Sequence, residues 1–409
     1  MLIQAAPSTF PRADAYRNPR TPPFRDDAGR YHVFSYEHVM KVLTNRERAF
    51  TRDPSLWLPD GVQNIALDFM WTVEPFTVDG ELGRHHALRS VVEPWFRSRA
   101  LEAMEPSVRA ITRGLIGEVI RSGRGELNFA REIAYRTAIR VICSLVGIEL
   151  DRESWLRDKL DEFNQTARYE DLPRQWDLEA YFWELIAKRV AQPRDELLDV
   201  LIAAWKDARI SDRELLGYMA GMVNAGTDTT GTSLVNAFAL LAEFGQLQSV
   251  HDHLQDTETV DRVVEEVLRF GTPFPMKQLH VLKEVDFDGF VVPRGGTLCI
   301  WYAAANRDQQ VNGGVAQADP ETFDVSRWPN RHLALGYGKH FCLGGDLARL
   351  EMRILIDEGL RLLPGLELDR RRPFTRYAGI VDVVTEAYFT FDQRAASAAW
   401  AKSGGEHDG

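Results

Sequence analysis

The 409-residue chain is 44% hydrophobic and carries a formal net charge of −11, so it can bury a large core and lacks the basic surface that nucleic-acid binding wants. Its three cysteines, Cys143, Cys299 and Cys342, have no C-x-x-C spacing, which suggests neither a disulfide framework nor a zinc site and fits a reducing cytoplasm. The opening Met-Leu-Ile-Gln-Ala-Ala-Pro-Ser is too short in its apolar part for a signal peptide, and no run of about 18 apolar residues follows, so a soluble protein without a membrane span is expected.

No Pro/Gly/Ser-rich linker or internal repeat divides the chain. The expectation is an irregular arm over residues 1–30, one large domain over 31–391, and a polar, disordered tail over 392–409. Tyr31–Ser35 has strand character and Tyr36–Thr44 helix character. Residues 51–78 form a long, weakly periodic segment carrying Trp57, Phe69, Met70, Trp71 and Phe76, and such loops in compact domains are more often functional than not. Arg84–Arg89 opens a helix with His85 and Arg89 on one face. Helical patterns follow at about 101–121, 128–146, 152–168, 177–191 and 195–208.

Ser211 and Glu214 form a capping box, and the helical pattern then runs to about Phe244, long enough to span roughly 50 Å. Its middle, Ala225-Gly226-Thr227-Asp228-Thr229-Thr230, sets an acid and several hydroxyls in an apolar stretch. Hydroxyls that bond back to carbonyls beside a glycine can loosen a helix and open a groove, although a kinked core helix in which Asp228 and Thr229 satisfy one another accounts for the run equally. Glu266 and Arg269 lie three apart on a helix face, which alone is a routine surface pair. Residues 285–302 and 374–391 are strand-rich, and the latter should reach back near Ala378–Ile380.

The stretch Leu335-Gly336-Tyr337-Gly338-Lys339-His340-Phe341-Cys342-Leu343-Gly344-Gly345 sets one cysteine between glycines, ahead of an amphipathic helix from Asp346. Gly336 and Gly338 let the backbone approach a flat ligand, and a helix start favours a thiolate. A lone cysteine in such a turn is more often inert core filler. The complete string resembles the haem-binding loop of the cytochrome P450 family, with Leu335 where that family usually has Phe. The run Ala225–Thr230 resembles its oxygen-activation motif, Glu266-x-x-Arg269 its buried ion pair, and His85-x-x-x-Arg89 its propionate-gripping helix. The four motifs occur in the family's order.

The resemblance implies a mainly α fold with a small β region and a long central helix crossing haem b, whose iron takes Cys342 as ligand. It implies insertion of one oxygen atom from O2 into a small organic or carrier-bound substrate by hydroxylation, epoxidation or O-dealkylation, in secondary metabolism or catabolism. Electrons would come from a ferredoxin or similar donor with its reductase. His85, Arg89, His280, His340, Ala225, Gly226, Leu335, Gly336 and Gly344 would bind the cofactor, with His280 near the place of the family's further propionate Arg. Thr229 would hold a water or the distal atom of dioxygen, and Asp228 would belong to the proton path. Phe69, Trp71, Gly221, Asn224, Ala225, Phe274 and Met276 would line the substrate pocket, Asn224 orienting a polar group, and the break around Tyr169–Trp176 would lie in the lid. Glu266, Arg269 and Arg327, or His332 in place of Arg327, would brace the cysteine loop. Arg97, Arg99, Lys339, Arg349 and Arg353 would form a basic patch for the electron donor. Two rivals remain at this point: another oxidation at the same centre, such as aromatic coupling or peroxide-driven chemistry, and a non-enzymatic haem protein that senses or carries a gas.

Overall fold

The computed structural model describes residues 18–51, 85–165, 176–312, 319–378 and 381–404. Phe69, Trp71 and the lid break before Trp176 lie outside them.

The β region is built first on the N-terminal arm. Strands β1 (Phe24–Arg25), β2 (Tyr31–Val33) and β3 (Phe50–Thr51) join two later strands, described below, in one sheet. The end of the arm is therefore ordered, because Phe24 pairs opposite His32 and stacks on its ring at 4.9 Å. Helix α1 (Tyr36–Thr44) starts where Ser35 accepts from the His38 amide, and it ends at Asn45 in a left-handed turn, both ordinary helix-end chemistry.

Helices α2 (His85–Val92), α3 (Ser98–Arg121), α4 (Tyr135–Val146), α5 (Glu153–Gln165), α6 (Trp176–Ala191) and α7 (Leu197–Lys206) follow, with β4 (Glu126–Asn128) and a π-turn over Ala130–Ala134 between α3 and α4. Helix α8 (Asp212–Glu243) begins at the Ser211/Glu214 capping box. It is the longest helix described and almost wholly buried, with α4 packed along it. Helices α9 (Leu247–Asp252) and α10 (Thr257–Phe270) lead to β5 (Met276–Val281), β6 (Val285–Phe287), β7 (Phe290–Val292) and β8 (Thr297–Trp301).

The five-stranded sheet has the order β1-β2-β8-β5-β3, with β2 parallel to β8 (Tyr31 opposite Leu298) and the other pairs antiparallel. Helix α11 (Gly345–Leu362) follows the cysteine loop and packs against both α3 and α8. The chain closes through β9 (Glu367–Leu368), β10 (Thr375–Ala378), β11 (Asp382–Glu386) and β12 (Tyr388–Thr390).

The expectation of a disordered tail fails at helix α12 (Gln393–Lys402), where Asp392 caps the Ala395 amide. The segment is alanine-rich, which favours helix, and it carries Trp400, whose ring is buried and lies under the guanidinium groups of Arg113 and Arg121 at 5.5 and 6.0 Å. Gly117 on α3 makes room for it, since a Cβ there would stand 2.6 Å from the indole. Among the described residues no helix is long and apolar enough to cross a membrane.

Candidate active site

Cys342 retains accessible surface, yet protein atoms crowd it on nearly every side. Both hold for a residue at the floor of a recess. Burial pushes its thiol up, while a hydrogen bond from the Gly344 amide and then the Arg89 and Arg349 charges favour the thiolate. The loop is fastened by the Cys342 amide to the Leu335 carbonyl at 2.8 Å, and Gly344 stands at the N-cap of α11. Gly336 and Gly338 adopt φ of +71° and +68°. Left-handed backbone by itself favours glycine at both positions.

Helix α2 brings two of the expected residues to this loop. His85 is buried with its ring 5.2 Å from that of His340. Arg89 donates to the Phe341 carbonyl at 3.0 Å and lies 3.9 Å from Glu93, so in this structure it braces the cysteine loop. His280 is buried in β5 opposite Thr51 and Thr297.

On α8 the helix stays regular through the loosening expected at 225–230. The hydroxyls bond back as foreseen: Thr227 to the Val223 carbonyl at 2.7 Å and Thr229 to the Ala225 carbonyl at 2.6 Å. Thr229 and Asp228 do not satisfy one another. Asp228, only 1% exposed, instead accepts a 2.8 Å bond from Arg157 of α5. The stretch Asn224–Gly226 and Thr229 keep partial exposure within a helix buried on both sides of them, so a strip of α8 opens on an interior recess. Gly226 serves packing, since a Cβ there would meet Ile142 of α4 at 2.8 Å. Gly221 is buried. Phe274 packs on Tyr302 with centroids 6.4 Å apart, and Met276 belongs to a cluster with Phe34, Cys299 and Trp301, so both pocket candidates are also part of the sheet's packing.

The brace beneath the loop is fully formed. Arg269 grips Glu266 with two bonds of 2.7 and 2.8 Å, and both side chains are fully buried. Arg327 is the third member, at 3.4 Å from Glu266. Asn330 and the Asp324 amide also donate to that carboxylate, at 2.9 and 2.8 Å. Arg269 spends its remaining donors on the Asn306, Pro320 and Thr322 carbonyls. His332, the alternative third member, pairs with the neighbouring Glu265 at 2.9 Å, and Arg349 of α11 grips the same carboxylate at 2.6 and 3.1 Å. Sequence reasoning missed this second brace because Glu265 and Arg349 stand 84 positions apart. It missed the Arg157–Asp228 pair for the same kind of reason, since no local motif marks Arg157.

Of the five residues expected to form a basic patch, Arg97, Arg349 and Arg353 each lie beside a carboxylate of the chain itself. Arg97 lies 3.6 Å from Glu93, Arg353 3.0 Å from Asp261, and Arg349 is held by Glu265 and Asp346.

An accessible cysteine offered a backbone N–H, in a loop that Arg89 also bonds, fits the thiolate ligand of a haem iron. On this mainly helical fold, such a loop suits the proteins that hold haem through a thiolate. The comparisons agree. The model of the family described as Cytochrome P450 matches residues 151–363. The chain is 30% identical to mycinamicin IV hydroxylase/epoxidase of Micromonospora griseorubida, over 85% of each protein. It is 32% identical to the cytochrome P450 monooxygenase PikC of Streptomyces venezuelae, over 70% of this chain and 68% of that one. Among solved structures, a mutant of P450 EryK in complex with erythromycin B superposes with a TM-score of 0.76 at 26% identity, covering 91% of this chain and 93% of the other. The chain belongs to the cytochrome P450 family. It is a haem-dependent monooxygenase with an oxidoreductase's need for O2 and an electron donor.

Proposed function

We propose that this monooxygenase binds haem b through Cys342, works in the cytoplasm, and receives electrons from a ferredoxin served by its reductase. It then hydroxylates, epoxidises or O-dealkylates a small free or carrier-bound molecule of secondary metabolism or catabolism. The carrying observation is the accessible Cys342 with a hydrogen bond from the Gly344 amide, in a chain whose long buried helix α8 leaves Asn224–Gly226 and Thr229 open. A relative named for the hydroxylation or epoxidation of mycinamicin IV supports hydroxylation or epoxidation of such an organic molecule here.

When bound, haem supplies the O2 activation, with the cysteine thiolate favouring O–O cleavage. His85 and His340, side by side, would donate to its propionates, with Arg89 and His280 as further candidates. Thr229 has its hydroxyl proton committed to the Ala225 carbonyl, so Oγ1 presents lone pairs to the recess and accepts a hydrogen bond there. Asp228 receives a proton from outside and passes it inward, and Arg157 sets where its carboxylate rests between transfers. Asn224, half-buried at the edge of the strip, would orient a polar group of the substrate. Phe69, Trp71, Gly221, Phe274 and Met276 would complete the pocket.

The test is an optical titration of the ferric protein, after its reduced carbon monoxide complex has been checked for the thiolate signature. Macrolides, terpenoids, small aromatics and carrier-bound amino acids make the panel. A shift from low-spin to high-spin iron, followed by one oxygen atom in the product with dioxygen and reductant, supports the reading. A sound thiolate signature with turnover under peroxide only would replace dioxygen chemistry with the peroxide-driven alternative.

A further inference from the structure

Three helices meet at Asp228 through a residue that no motif marks. Tyr135 opens α4, 5% exposed, just after the π-turn that shifts the side-chain phase of the segment leading into the helix. Its hydroxyl shares a 2.8 Å hydrogen bond with Thr232, one turn beyond Asp228 on α8. Its ring fills a notch at Gly231, where a Cβ would stand 2.2 Å from a ring carbon. Above the ring, at 4.3 Å from its centroid, lies the Arg157 guanidinium that donates to Asp228 at 2.8 Å.

We propose that Tyr135 is a positioning residue for proton delivery: keyed to α8 by a bond and a notch, it holds the Arg157 guanidinium against its ring face and thereby sets where the Asp228 carboxylate stands. The inference rests on the reading that Asp228 passes protons. Arg157 has 21% of its side chain exposed, and an arginine has several torsions through which to swing into solvent. The bond to Asp228 does not by itself fix the plane of the guanidinium. The aromatic face beneath opposes the swing, because a desolvated guanidinium is attracted to the ring and loses that attraction on leaving. The phenol's own proton plays no part. Burial, with the Asp228 charge next, pushes that group far above an ordinary tyrosine, so it stays a neutral hydrogen-bonding anchor.

The test uses the haem-loaded protein and two readouts. In a double-mutant cycle of denaturant unfolding, Tyr135→Leu and Arg157→Leu should be non-additive by about 3- to 30-fold in the unfolding equilibrium, the range between an exposed and a fully desolvated cation–π contact. In turnover, Tyr135→Leu should raise both the solvent isotope effect and the peroxide released per reductant consumed. Tyr135→Phe, which keeps the ring in its notch and loses the bond to Thr232, should change both clearly less than Tyr135→Leu does. Additive unfolding effects, or a Phe variant as impaired as the Leu variant, would overturn the proposal. If Tyr135→Leu fails to accumulate with haem, Arg157→Lys carries the test, since it keeps the charge and loses the flat stacking. An isotope effect unchanged by that variant would be equally fatal. Asp228→Asn separates the underlying reading: if it leaves turnover and isotope effect untouched, Asp228 passes no proton, while the coupling between Tyr135 and Arg157 in unfolding would still be measured.

Discussion

Glu266 is one carboxylate shared by two guanidinium groups, with the Asn330 amide and the Asp324 backbone N–H donating to it as well. Arg269 and Arg327 are both buried. Burial and then the Arg269 charge pull the Arg327 guanidinium below its ordinary value, the mark of two like charges tolerating each other only across a common anion. Removing that anion leaves both cations buried and uncompensated, which costs about 3–5 kcal/mol when one partner of a buried pair is lost. Glu266→Ala should therefore lower the denaturation midpoint and yield protein with little haem, with no selective kinetic defect in whatever fraction retains it. Haem content and unfolding midpoint of the purified variant check this, and normal loading with slow turnover would count against a bracing role.

Between elements, α10 is tied to α11 by Glu265, which takes Arg349 from α11 and His332 from the loop before the cysteine. Burial alone would raise this carboxyl, but the bonds from His332 and Arg349 outweigh it and hold it down at about 2, against 4.5 for an ordinary glutamate. A carboxylate depressed in the folded state contributes its stability above the unfolded value and loses it as the pH falls toward the folded one. The expected window is thus between about pH 4.5 and pH 2, with on the order of 3 kcal/mol at stake. Soret absorbance followed through acid titration should show wild type losing haem across that window, and Glu265→Gln, less stable at neutral pH, should show a flatter acid dependence. The motif pair Glu266/Arg269 was legible in the sequence because a helix places residues three apart on one face. The Glu265 tie joins residues 67 and 84 positions apart and leaves no periodic trace. Helix boundaries followed the same logic. The Ser211/Glu214 box announced α8, while α12 was hidden in a stretch whose small residues look like a polar tail until Trp400 finds the notch at Gly117.

Across the whole molecule, the net charge of −11 and the arginines around the cysteine loop suggest a dipolar protein that draws in an acidic electron donor over a distance. The ion pairs on that face argue otherwise. Arg97, Arg349 and Arg353 each have a carboxylate of this chain within 4 Å, so the field they project is that of short dipoles, which dies within a few ångströms, rather than that of bare cations screened over a Debye length of about 10 Å at 0.1 M salt. Steering by unpaired charge raises association rates by about 10- to 1,000-fold and fades steeply with ionic strength. Exposed Tyr337 and Phe341 on the loop itself, 47% and 39% accessible, offer contact area whose contribution does not fade with salt. Stopped-flow reduction of the ferric protein by a reduced ferredoxin should accordingly slow by less than about tenfold between low and high salt. The charge-neutralising Arg353→Gln should change the rate little, because the pair it opens projects little field. A steep salt dependence abolished by Arg353→Gln alone would mean that the pair opens on docking and that the arginine meets the partner directly.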